Sequence, residues 1–245
     1  MAEKKTNKKS TTKTTKKTSK IRGTVDVNTE NIKSEAKKTV DSVRESVMNV
    51  DFKEEAKTTR GFISSLFSDP LATLKTVATE NRRSRFENAV FIVIIWLIAS
   101  LVVTMAMANW SWAYFGTNIL SFIKSILAPV CGLVSMSIIV YLFGAQQKNK
   151  SMISILTLIT IASLPLVCAD VIDLVRLFST DMNKIMIPLK CFAQVLTIVF
   201  MYFGLKDLLG IEDHSKFLKK FMVIQAVYFL TYFVLSFLGI IMPII

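Results

Sequence analysis

The chain reads as an all-α polytopic membrane protein, a bundle of five transmembrane helices behind a lysine-rich N-terminal tail. Three observations predict this. Hydrophobic residues make up 52% of the 245 residues and the mean hydropathy is +0.48, beyond the usual share for a soluble domain. They are concentrated after position 88, in five runs long enough to cross a bilayer's hydrocarbon as helices. The formal charge of +12 is also uneven: residues 1–87 hold 20 Lys/Arg against 12 Asp/Glu, and residues 88–245 hold 10 against 6.

Residues 1–28 open with eight lysines in the first 20 positions, among Thr, Ser and Asn. Such a segment buries too little apolar area to offset its ordering entropy, so a disordered tail is expected. It is either simply solvated or, on the cytosolic side, drawn to anionic lipid headgroups at about 1 kcal/mol per lysine. Nucleic acid is disfavoured as a partner, because no aromatics are interleaved for base stacking. The first 30 residues hold no apolar core of a signal peptide, so the first span is expected to serve as an uncleaved anchor.

Residues 29–60 form a weakly amphipathic cytosolic segment. Ala36, Val40, Val43, Val47 and Val50 are spaced 4-3-4-3, a single apolar stripe too short to specify a coiled coil. It suits a transient helix or a partner-binding one. Residues 61–87 form an interfacial amphipathic segment. Phe62, Ile63, Leu66 and Phe67 cluster before Asp69-Pro70, and Leu71, Leu74 and Val77 follow. Asp69 suits an N-cap with Pro70 at the first helical position. Arg82, Arg83 and Arg85 then sit at headgroup level.

The membrane domain, 88–245, holds spans at about Ala89–Ala108, Ile119–Phe143, Met152–Val175, Ile185–Leu205 and Phe221–Ile245. Lys124 and Lys190 lie near one end of the second and fourth spans, within snorkelling reach of the interface. Basic residues mark one side: the N-terminal segment, Lys148 and Lys150, and Lys206, Lys216, Lys219 and Lys220. The loop from Asn109 to Asn118 instead carries Trp110, Trp112, Tyr114 and Phe115, an aromatic belt. Positive charge stays inside, so the N-terminus is expected in the cytoplasm and the C-terminus at the outer face.

Asp170, Asp173 and Arg176 follow one another at three-residue spacing on a single helical face. With Lys124 and Lys190 at similar depth, they form a candidate intramembrane polar cluster joining spans two, three and four near the outer interface. Such groups act either as interhelical glue and headgroup contacts or as an ion, proton or lipid-headgroup site. Pro165 lacks the N–H that would bond Ile161, so it should bend span three after Ser163-Leu164; Pro129 and Pro188 are candidate shaping positions in spans two and four.

No catalytic, cofactor or metal set is expected. The carboxylates share one helix instead of facing each other across two, and His214 has only Asp213 beside it. Cys131, Cys168 and Cys191 lie in apolar runs without CxxC spacing and read as small buried hydrophobes.

Short motifs add a resemblance. Leu142-Phe143-Gly144 before a basic loop and a span bearing Ser163-Leu164-Pro165, the run Gly204-Leu205-Lys206-Asp207-Leu208-Leu209-Gly210-Ile211, and Phe67-Ser68-Asp69-Pro70 before span one resemble the Yip family of five-span membrane proteins (Ypt/Rab-interacting, "Yip-one" domain). The likeness covers roughly residues 60–245 and is closer to the bacterial-type members. It implies five spans and a cytosolic N-terminus. The tyrosine- and glycine-rich signature of the eukaryotic branch is missing, so Rab binding does not carry over, and the lysine-rich tail is no part of the family pattern.

These features point to a non-enzymatic, Yip-like integral membrane protein. It would be a scaffold, partner-binding or membrane-organising factor with a membrane or cytosolic protein partner. The alternative is a small transporter, channel or lipid-moving protein that uses the polar cluster.

Overall fold

Among the described residues the apolar runs fold as helices, because a helix satisfies its own backbone hydrogen bonds where no water can. The computed structural model describes residues 29–48, 52–79, 83–107, 112–145, 150–174 and 183–239. The helices there are α1 (Thr29–Met48), α2 (Phe52–Ser68), α3 (Pro70–Thr79), α4 (Arg83–Met107), α5 (Trp112–Val140), α6 (Met152–Ala162), α7 (Leu164–Ile172), α8 (Asn183–Leu209) and α9 (His214–Phe237). A five-residue π turn, Tyr141–Ala145, prolongs α5. The expected disordered tail, Val50, Arg82, Trp110 and Arg176 lie outside the described residues.

Among the described residues four helices are long and apolar enough to cross a membrane: those containing Arg85–Met105, Ile126–Gly144, Lys184–Leu209 and His214–Phe237. The fifth candidate is α6 with α7, bent by 44° where the chain breaks. Its neighbours decide its course. Gly144 lies against Leu209 and Lys220, so α5 ends beside the α8–α9 turn. The other end of the pair, at Asp170 and Asp173, meets Lys190 early in α8. The pair therefore starts at the α8–α9 end of the bundle and runs back along α8 as far as Lys190, bending on the way.

The bend has a local cause. Ser163 donates its hydroxyl to the Ile159 carbonyl at 2.8 Å, and Pro165 opens α7, where its missing N–H costs nothing. By contrast α5 and α8 each continue through their prolines, Pro129 and Pro188.

Helices α6 and α7 are the centre of the fold. Ile155, Leu158, Ile159, Ile161, Ala162 and Leu164 are essentially inaccessible. Gly204 lets α8 approach this core, since a Cβ there would come within 2.8 Å of a Leu158 methyl. Gly210, at φ 56°, then ends α8 in the left-handed conformation that favours glycine, and the Ile211 N–H returns to the Lys206 carbonyl. This gives the Gly204–Ile211 run a physical reason: close packing at its start, a helix stop at its end.

The pre-membrane helices are part of the same body. Leu66 on α2 and Leu74 on α3 are wholly buried, and α3 packs along α8. The Thr59 hydroxyl donates to the Asn88 carboxamide oxygen at 3.1 Å, and Arg85 lies over the Phe62 ring at 5.2 Å, tying α2 to α4. Asp69 accepts from the Ala72 N–H at 3.1 Å, the cap its sequence position suggests. One helix, α2, runs through position 60, and α1 carries the valine stripe as far as Val47.

Candidate functional site

A cavity of about 380 Å³ lies inside the bundle, walled by α4, α5, α7, α8 and α9. Its lining is mostly apolar, but two polar walls face into it.

The first wall is charged. Lys190 places its ammonium 3.0 Å from Asp170 and 2.7 Å from Asp173, and the Trp96 indole N–H donates to the other Asp170 oxygen at 2.6 Å. Asp173 is only 1% exposed. Three-residue spacing sets both carboxylates on one side of α7, and Lys190 reaches across from α8 to bridge them. An ammonium between two carboxylates, with an indole completing one of them, holds α4, α7 and α8 together where a bare charge would be costly.

Trp96 lies eleven residues before the end of α4, about 16 Å of helix rise. Asp170 therefore lies beside the middle of α4.

Three of the five candidate residues thus come together. Lys124 does not join them: among the described residues it pairs with neither carboxylate. Its ammonium lies 3.8 Å from where a side chain on Gly239 would begin, beside the carboxyl end of α9, where a cation is favoured. Arg176 lies outside the described residues. Of the prolines, Pro129 lines the cavity, Pro165 marks the bend and Pro188 is exposed within α8.

The second wall is neutral. Thr197 on α8 and Gln225 on α9 both line the cavity, with Gln194, Tyr228 and Tyr232 beside them. The Thr197 hydroxyl and the Gln225 amide nitrogen are buried and have no hydrogen-bond partner. Gly132 allows α9 its approach to α5, since a Cβ there would meet the Tyr228 hydroxyl at 3.2 Å.

Sequence reasoning missed Trp96, Thr197 and Gln225. A signal was present for two of them. Lys190, Gln194, Thr197 and Met201 repeat at 4-3-4 on α8, and Gln225, Tyr228 and Tyr232 at 3-4 on α9, polar stripes inside apolar runs. Nothing comparable marks Trp96.

His214, the sole histidine, lies at the α8–α9 turn and accepts from the Lys206 ammonium at 3.0 Å. Beside it Asp213 caps α9, accepting from the N–H groups of Ser215 and Lys216. Among the described residues no group of three or more His, Cys, Asp or Glu is placed to hold a metal ion.

Compared with family models, curated proteins and solved structures, the chain matches none of them. What the arrangement does must follow from its own residues.

Proposed function

We propose that this is a non-enzymatic integral membrane protein that takes a small polar molecule or a lipid head into its central cavity, acting as a small transporter or lipid-moving protein. The observation that carries this is the cavity itself. It is a space of ligand size inside a membrane bundle, mostly apolar, with a few converging polar groups, three of which leave a buried atom without a hydrogen bond. On this proposal the basic segments face the cytoplasm, the lysine-rich tail attracts anionic headgroups, and the Yip-like motifs shape the five-span frame.

The test is flux through reconstituted vesicles, read with a dithionite-quenchable labelled phospholipid and, separately, with a pH dye under a potassium gradient. Ser100→Phe, which fills the cavity from α4, should bring any flux down to the empty-vesicle level. Wild-type protein indistinguishable from empty vesicles in both assays would sink the proposal.

One observation favours the scaffold reading as well. On α1, Val40 of the apolar stripe is 64% exposed, an unmatched contact for a cytosolic or membrane partner. Removing residues 1–48 should then strip co-purifying proteins from the membrane domain. A truncated protein that kept all of them would exclude α1 as the docking element.

A further inference from the structure

The two walls of the cavity differ in what they leave undone. On the charged wall Lys190, Asp170 and Trp96 satisfy one another, and the buried atom without a hydrogen bond, Asp173 Oδ1, only accepts. The neutral wall offers a donor as well. Thr197 is 4% exposed, and its hydroxyl, like the Gln225 amide nitrogen, has no partner. In hydrocarbon an unmatched donor costs free energy that water would otherwise offset. The Gln225 nitrogen only donates, whereas the Thr197 hydroxyl donates or accepts. A carbonyl oxygen, with or without a neighbouring hydroxyl, matches both. An anionic head would face two carboxylates behind a single lysine, so the match is to a neutral head.

The way in is from the side. Ile198 on α8 and Phe229 on α9 both line the cavity, yet are 38% and 60% exposed, so the cavity reaches the bundle exterior between these two helices. The helices are clasped near their turn, where Tyr202 stacks edge-on to Phe217 and Phe221 at 4.9 and 5.3 Å. Past the clasp α9 packs along α5 instead of α8. Ile198 is fifteen residues into α8, about 22 Å from its start, and Phe229 is likewise fifteen residues into α9, eight before its end. An opening at that depth faces acyl chains.

We propose that the cavity is a lateral binding site for a neutral, ester-bearing, single-chain amphiphile. Its head hydrogen-bonds Thr197 and Gln225, and its chain leaves between α8 and α9. This rests on the cavity reading above and narrows it to a class of ligand.

Trp96 lines the cavity and can report occupancy. With Trp110→Phe and Trp112→Phe as background, the full chain is placed in nanodiscs of saturated phosphatidylcholine and titrated with a dibrominated monoacylglycerol, whose bromines quench indole on contact. Quenching should saturate. Thr197→Val with Gln225→Leu should raise the half-quenching mole fraction about thirtyfold, the equivalent of two neutral hydrogen bonds at about 1 kcal/mol each. Thr197→Ser, which keeps the hydroxyl, should follow the unsubstituted curve. An unchanged curve in the double variant overturns the assignment, as does a dibromoalkane of equal length that quenches as well. Flux with unsaturable quenching removes this site and leaves the transport proposal standing. Saturable quenching without flux does the reverse.

Discussion

The charged and neutral walls share one cavity, with Thr197 about two turns along α8 from Lys190, yet they differ in how far their polar groups are matched. Lys190, Asp170 and Asp173 carry formal charge and pair with one another, with Trp96 donating to Asp170 and a single oxygen, Asp173 Oδ1, accepting no hydrogen bond. Thr197 and Gln225 carry none and are left unmatched. The difference teaches that ionisable groups at membrane depth can be structural while modest neutral ones hold the binding potential. Charge draws the eye because its burial is costly. That same cost is why a stable bundle pairs it off.

Four substitutions sharpen or break this contrast, each read as the change in unfolding free energy of purified protein titrated with SDS in mixed micelles. Lys190→Met should cost most, about 3 kcal/mol, because it leaves two carboxylates without their shared cation. A loss under about 1 kcal/mol would mean the wall is hydrated and not self-matched. Trp96→Phe should follow at about 2 kcal/mol, the value of a hydrogen bond to a charged acceptor. Asp213→Ala, remote from both walls, should cost about 1 kcal/mol through the lost α9 cap and leave the cavity untouched. Thr197→Val should be the smallest effect, neutral or stabilising by up to about 1 kcal/mol, since it removes an unmatched hydroxyl without changing shape. If it destabilised as much as Trp96→Phe, the hydroxyl would have a partner inside the protein and the contrast would fail.

The all-helical membrane bundle was legible because each crossing is written as a long, mostly apolar run, which the bilayer constrains more tightly than water does. The bend at Ser163-Leu164-Pro165 was legible too, since a missing N–H acts locally. Helix partners were not. Asp170 and Asp173 share a face by spacing alone, but their pairing with Lys190 and not Lys124 depends on how α5 and α8 are rotated about their axes, which no single run encodes. Trp96 was invisible for the same reason: in an apolar run an indole looks like any other large side chain until a carboxylate from α7 arrives beside it. Start positions also shifted where turns are short. The helix α5 begins at Trp112, so part of the aromatic belt expected in a loop is helical backbone.

The aromatic clasp between α8 and α9 has a mechanical consequence. From Phe221 to Phe237 the last helix extends sixteen residues, about 24 Å at the usual rise. A swing of about 5° about the clasp moves its far end by about 2 Å, comparable to the van der Waals radius of a methyl group. The clasp is thus the fulcrum of a lever whose long arm is one jamb of the side opening. A substitution such as Tyr202→Leu, made at the turn and touching nothing in the cavity, would change the width of a doorway many residues away.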